Sequence, residues 1–172
     1  ETQDILCLAM TNGTILVVDN YVAGGFDASA ARTITPGDGA SISNIHGIAY
    51  RADTDTLVVT DVGDAAVADD GKVYVISNAS SASGMVTPDR TLAGPATMLG
   101  NPVDLIPEGN KAAIAEKSND ATLGYNNIFA GQSGDVAPNR TVASVKPESL
   151  VRITPPRREA DVAEIDASDT TT

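Results

Sequence analysis

The chain has 172 residues, a formal net charge of −12 and 42% hydrophobic residues, which is enough apolar material for a folded core. A charge this negative repels phosphate backbones, and with no tryptophan and 3% aromatic residues the chain has few surfaces on which bases could stack. We therefore expect no nucleic-acid partner, and no membrane span either, because no run of 18 apolar residues occurs.

One short phrase occurs three times along the chain: an arginine, a threonine and an aliphatic residue. The copies begin at Arg32, Arg90 and Arg140, so successive copies lie 58 and 50 residues apart. The second and third copies are longer and read Gly-x-Val-x-Pro-x-Arg-Thr followed by the aliphatic residue. A period of about 50 residues is typical of solenoids, propellers and repeat arrays.

Short apolar runs with strand character surround these copies, and turn residues separate them. In chain order the runs are residues 5–10, 14–19, 45–50, 56–61, 71–77, 102–106, 111–116, 125–130, 149–153 and 161–166. Four short strands in each period predict a four-stranded propeller blade. We assign blade 1 to residues 5–35 with residues 5–10 as its innermost strand, blade 2 to 45–92, blade 3 to 103–142, and the start of a fourth blade to 149.

The sequence thus predicts an all-β fold, a portion of a β-propeller with about three and a half four-stranded antiparallel blades over residues 1–154. Residues 155–172 begin with two prolines and then become acidic and rich in threonine. Because proline breaks a central strand, we predict that this segment is either a final strand after a long loop or a tail.

The repeated phrase, followed by a loop and then Pro-x-x-Ile or Gly-Ile-Ala, resembles the repeats of secreted bacterial NHL-like β-propellers. The resemblance covers residues 1 to about 154 and implies an extracellular or periplasmic protein. The repeat arginines are expected on the outer strand, where each long side chain covers apolar surface and pairs with an aspartate of the neighbouring blade.

Three and a half blades do not close a ring, because propellers typically contain four to eight. Two unfinished sheets would leave strand edges and apolar faces open at the ends of an arc. We expect a partner that covers residues 5–10 and 149–166, supplied either by another copy of the chain or by the remainder of a longer one. Glu1 in place of a starting Met indicates a processed or partial chain.

Acidic and amide residues recur where second strands end and innermost strands begin, which in a propeller is one face of the ring. Carboxylate oxygens in such places suit Ca²⁺, so we predict four metal ligands: Asp19, Asp61, Asp64 and Glu116. Three further residues are candidate ligands on the channel face: His46, Asn101 and Glu148. The alternative is that these side chains bond the local backbone at strand ends.

The chain has one histidine and one cysteine, which limits the kinds of site that it can form. His46 is the sole histidine, which rules out a multi-histidine zinc site within this chain, and Cys7 stands alone in an apolar run, where it is expected to be a core residue. A resemblance to calcium-centred propeller lactonases would make His46 or an aspartate a general acid-base candidate.

Three functions remain open. The first is an extracellular binding or scaffolding module that acts through its channel face or blade edges and carries no catalytic residue. The second is a calcium-assisted, lactonase-like hydrolase, and the third is a structural subunit of an extracellular assembly. Fold alone does not choose between them.

Overall fold

The structure is a computed structural model, and it describes residues 4–25, 27, 31–37, 43–64 and 66–153. The predicted final strand or tail over 155–172 lies outside these residues. The strands are β1 Ile5–Ala9, β2 Ile15–Asp19, β3 Arg32–Pro36, β4 Ile45–Arg51, β5 Thr56–Asp61, β6 Lys72–Ser77, β7 Gly84–Val86, β8 Arg90–Ala93, β9 Pro102–Glu108, β10 Lys111–Glu116, β11 Ala121–Tyr125 and β12 Arg140–Ala143. The helical parts of the described chain are the single turn α1 (Tyr21–Gly24) and a 3-10 turn at Pro95–Thr97.

The strands form three four-stranded sheets, and each sheet is one blade. Their orders are β1-β2-β3-β7 in blade 1, β4-β5-β6-β8 in blade 2 and β9-β10-β11-β12 in blade 3. Neighbouring strands are antiparallel throughout, except for β3 and β7, which are parallel. The predicted all-β fold of propeller blades is confirmed.

The position of the repeat arginine identifies each strand within its blade. In blades 2 and 3 this arginine lies in the fourth strand, opposite the third: Arg90 faces Val75, and Arg140 faces Gly124. Arg32 in β3 faces β2 in the same way. It follows that β2 is the third strand of blade 1 and β1 is the second. The prediction that β1 is an innermost strand is therefore wrong, and within the described residues no strand pairs with the inner edge of β1.

The sheet of blade 1 also contains a strand from blade 2, β7, which pairs with the outer edge of the fourth strand β3. β7 contains the Gly-x-Val part of the repeat, and Gly84 pairs with Ile34 of β3 in parallel. The next copy of the repeat makes the same contact one blade further on, where Gly134 forms a parallel bridge to Leu92. In blades 2 and 3 the loop between the third and fourth strands therefore pairs with the outer strand of the blade before it.

The third strand of blade 3 begins earlier than the sequence predicted. It is β11, which ends at Tyr125, whereas the apolar run of residues 125–130 was predicted to form it. Ile128 and Phe129 instead lie in the following turn, where both are buried. The run is apolar because this turn packs against blade 2, so its composition reflects burial and not a strand.

The core consists of two apolar layers, one between each pair of adjacent blades. Leu57 and Val59 of β5 point into the layer shared with blade 1, whereas Val58 points into the layer shared with blade 3. Both faces of β5 are therefore covered, which explains why it reads as a continuous apolar run and does not alternate.

The predicted start of a fourth blade does not form a strand within the described residues. The segment 149–153 instead lies against blade 3, where the Leu150 N–H donates to Asp104 Oδ2 at 2.7 Å and Arg152 pairs with Glu108 at 3.1 Å. Val151 and Ile153 are exposed. The described chain accordingly contains three sheets plus one unpaired apolar segment.

Candidate functional site

Asp61, at the end of β5, is buried opposite Ile45, where the innermost strand β4 begins. Its carboxylate accepts hydrogen bonds from the Asn44 N–H at 2.7 Å, the Ser43 hydroxyl at 2.7 Å and the Gly63 N–H at 2.9 Å. Asp61 therefore ties the segment that enters β4 to the loop that leaves β5. This is the backbone-bonding role that the sequence left open as the alternative to a metal ligand.

Glu116, at the end of β10, does the same in blade 3. Its buried carboxylate accepts N–H groups from Gly100, Asn101, Ser118 and Asn119 at 2.8 to 3.3 Å. Burial raises the pKa of Glu116 above its ordinary value, and the four backbone N–H groups oppose that rise by stabilising the anion. Every donor here is a main-chain N–H group, so the carboxylate connects the loop before β9 to the loop after β10.

The main chain repeats this arrangement in both blades. The Val62 N–H donates to the Asn44 carbonyl at 2.8 Å, and the Lys117 N–H donates to the Asn101 carbonyl at 3.0 Å. In blades 2 and 3, a carboxylate at the end of the second strand and an asparagine before the innermost strand therefore form the same structural unit. The predicted channel-face residue Asn101 is part of this unit.

Asp64 lies just beyond Asp61 in the same loop, and it also bonds its own neighbourhood. Its Oδ1 accepts the Ala66 N–H at 3.0 Å, and its N–H donates to Asp70 Oδ2 at 2.8 Å. Among the described residues, two buried oxygens nearby have no hydrogen-bond partner, Asn44 Oδ1 and Asp70 Oδ1. Sequence reasoning did not find these atoms, because no residue type or spacing distinguishes them.

Asp19 does not join the other predicted metal ligands. It ends β2, the third strand of blade 1, and in the sheet register it corresponds to Ser77 at the opposite end of blade 2. There it forms an ion pair with Arg32 at 3.2 Å. The place that Asp61 occupies in blade 2 is taken in blade 1 by Met10, which follows the end of the second strand. Asp19 was predicted as a metal ligand because β2 was assigned as the second strand of blade 1, whereas it is the third.

The other channel-face candidates are spread out. His46 is exposed on β4, and Glu148 forms an ion pair with Lys117 on the loop after β10. Across the described ranges, no group of three or more His, Cys, Asp or Glu residues could hold a metal ion. The predicted calcium ligands are thus not assembled into a donor set within the described residues.

The repeat arginines make a different contact from the one expected. Arg32 donates to main-chain carbonyls of the next blade, at Ala82 and, over 2.6 Å, at Ser80. Arg90 donates to the carbonyls of Phe129 at 2.7 Å and Ile128 at 3.4 Å. The predicted partner was an aspartate of the neighbouring blade, but Asp19, which pairs with Arg32, belongs to the arginine's own blade.

An apolar groove of about 240 Å³ runs along the inner edge of β1, where blades 2 and 3 each have an innermost strand. The groove lies between β1 and blade 2, and Cys7 and Ile5 form one wall. The opposite wall consists of Ile48, Ala49, Tyr50, Leu57, Ala79 and Ser80. Burial raises the pKa of the Cys7 thiol, with the nearby Arg32 opposing this. No residue pattern indicates this groove, since it arises from a strand position that the described residues leave empty.

Comparison with known proteins supports the fold. No protein-family model and no curated protein matches the chain. A matching solved structure is a periplasmic gluconolactonase of Pseudomonas aeruginosa, which is 15% identical with a TM-score of 0.56 over 84% of this chain. The chain spans 38% of that protein's length. At this identity the likeness shows the fold alone, which is that of a β-propeller segment. No helix in the described part of the chain is long and apolar enough to cross a membrane.

Proposed function

We propose that this chain is a β-propeller binding or scaffolding module that acts by joining polypeptide at its blade edges, and that it belongs among NHL-like propellers. The observation that carries the proposal is the unpaired inner edge of β1 beside an apolar groove. An exposed strand edge offers a row of N–H and C=O groups, and an extended peptide can add to it as a further strand.

The groove supports this function because it supplies side-chain contacts as well as main-chain bonds. Its walls are mostly apolar, and the edge of β1 borders it along its length. In strand addition the main-chain bonds give affinity, while pockets for alternate side chains select the sequence. The expected ligand is therefore an extended segment whose apolar residues alternate with others, like the innermost strands of this chain.

A lactonase-like hydrolase is the less supported alternative. Its catalytic cation would need several oxygen ligands from the protein, and the carboxylates at Asp61 and Glu116 are already bonded to backbone N–H groups. A scaffolding role within an extracellular assembly is a form of the binding function proposed here. We also propose an extracellular or periplasmic location, which cell fractionation would test.

A labelled peptide with the sequence of residues 44–51, which contains β4, tests the function. We expect fluorescence anisotropy to rise when nanomolar chain is titrated into the peptide, and to rise little for the same peptide carrying Ile48→Pro, because proline removes a ladder hydrogen bond. Substituting Cys7→Asp in the chain should weaken binding by placing a charge in the groove. Equal binding of both peptides, or none of either, would exclude strand addition.

A further inference from the structure

The contact between consecutive blades is built twice from the same parts, and the two ends of the arc each present one half of it. One half is the repeat arginine and the aliphatic residue two positions later, on the fourth strand. The other half is the turn after the third strand of the following blade. Arg32 and Arg90 each reach such a turn. Arg140 does not reach one within the described residues.

The burial of equivalent residues shows what is missing at the C-terminal end. Ile34, Leu92 and Val142 occupy the same position in the three copies of the repeat. Ile34 and Leu92 are both 0% exposed, because the next blade covers them, whereas Val142 is 43% exposed. All four residues of β12 are exposed. Blade 3 thus presents the half of the contact that contains the repeat arginine, and no described blade covers it.

The N-terminal end of the arc presents the other half, which is the turn whose carbonyls accept hydrogen bonds from the arginine. The carbonyls that Arg90 contacts lie four and five residues after Gly124 in β11, and those that Arg32 contacts lie five and seven residues after Val75 in β6. The same counts from Val17 in β2 lead to residues 21–24, which form the α1 turn. Ile128, which corresponds to Tyr21, is fully buried. Tyr21 and Val22 are 40% and 83% exposed, so an apolar turn of the type that sits beneath a preceding blade is uncovered.

The strand count is complementary as well. Within the described residues, β1 is a second strand without an innermost strand beside it, and residues 149–153 are an apolar segment that follows a repeat but pairs with no second strand. The segment cannot reach β1 within one chain, since Leu150 and Arg152 are held on blade 3 and blade 2 lies between. Among the described residues, a segment of this kind reaches β1 only when it comes from another molecule.

We propose that a second copy of this chain occupies the groove, and that its residues 149–153 supply the innermost strand beside β1. This deepens the proposed function, on which it rests, by naming the partner. Each copy donates one strand and accepts one, so two copies form two identical junctions about a two-fold axis. The ring then has six blades, within the four to eight that propellers contain. Arg140 of each copy donates to carbonyls of the α1 turn, residues 21–24, of the other.

Sedimentation of the full chain is the first test. The proposal expects a dimer of twice 17.6 kDa, with no larger species, because both junctions are used when the ring closes. We expect Arg140→Ala to raise the dimer dissociation constant at least tenfold, while Lys72→Ala, a control cation on blade 2, leaves it unchanged. A monomer at all concentrations, or an open series of larger oligomers, would overturn the proposal.

A disulfide test locates the donated strand. Neighbouring residues of a strand point to opposite faces, so only one of Val151→Cys and Arg152→Cys can place its sulfur beside Cys7 of the other copy. We expect one variant to give a covalent dimer on oxidation, and no such product from the same variant carrying Cys7→Ala. Equal crosslinking of both variants, or of neither, would contradict the proposed strand pairing. Strand-peptide binding without a dimer would refute this inference and leave the proposed function intact.

Discussion

Single carboxylates in this protein act through the backbone groups that they bind. Asp61 and Glu116 stand at the same place in two blades, and both accept main-chain N–H groups from the loops on either side. The sequence predicted the recurrence of acidic residues at these strand ends. It could not decide whether these carboxylates bind a metal or the backbone of nearby loops, because the choice depends on where each carboxylate oxygen points.

Replacing Glu116→Gln should lower the free energy of unfolding by about 1–3 kcal/mol, because one carboxylate oxygen becomes an NH₂ group that faces N–H donors in a buried site. Urea denaturation monitored by circular dichroism measures the change. Asp69→Asn, which neutralises an exposed carboxylate, is the control and should change stability little. Equal effects of the two substitutions would show that the hydrogen bonds of Glu116 to the two loops do not contribute to the free energy of unfolding.

The carboxyl group of Asp55 makes stability depend on pH. Burial raises the pKa of Asp55, but hydrogen bonds from Ser80 and Tyr50 outweigh this and hold it below its ordinary value of 3.8. The folded state therefore gains stability above pH 3.8 and loses it as the pH falls through the lowered pKa. In unfolding titrations, Asp55→Asn should flatten this acid-side loss. The substitution keeps the backbone, since the φ of 46° at this residue suits asparagine. An unchanged acid dependence would contradict this assignment.

Calcium provides a direct test of the carboxylates as ligands. Since Asp61 and Glu116 already accept backbone donors, millimolar Ca²⁺ should leave the thermal midpoint of unfolding unchanged within about one degree. Differential scanning calorimetry with and without a chelator makes the measurement, with Mg²⁺ as the matched control. A shift of several degrees specific to Ca²⁺ would revive the hydrolase alternative.

At the scale of elements, β5 is the strand whose burial matters most, since adjacent blades cover both of its faces. Val58→Ala should cost about 1.5–3 kcal/mol, because it leaves a cavity in the layer between blades 2 and 3. Val67→Ala, in the exposed loop after β5, should cost less than about 0.5 kcal/mol. Chemical denaturation distinguishes the two, and a small cost at Val58 would mean that blades 2 and 3 are not packed as described.

The elements that could be read from the sequence are those with repeated residues or continuous apolar runs. β5, β6 and β10 lie close to their predicted positions because both faces of each strand are largely apolar. β1 was misassigned because blade 1 has two runs before its arginine where the other blades have three. β7 was missed because its partner lies on the preceding blade, and no local pattern encodes a contact of 50 residues' separation.

The described residues form an arc of three blades, and the two ends of this arc carry the two halves of the contact found between its blades. Arg140 and Val142 are exposed at one end, and the α1 turn and the groove beside β1 at the other. The sequence predicted that the arc needs a complement. It did not predict what the complement is. Because β1 was assigned as an innermost strand, the sequence did not show that blade 1 lacks such a strand among the described residues, or that residues 149–153 could supply one.

Amide hydrogen exchange of the 172-residue chain, followed from nanomolar to high micromolar concentration, tests this account most directly. Alternate amides of β1 point toward the empty inner-strand position. We expect these amides to exchange fast in dilute solution and to become protected as the concentration rises, while amides of β5 stay protected throughout. Protection of every β1 amide at all concentrations, equal to that of β5, would show that an inner strand is already in place and would contradict the account.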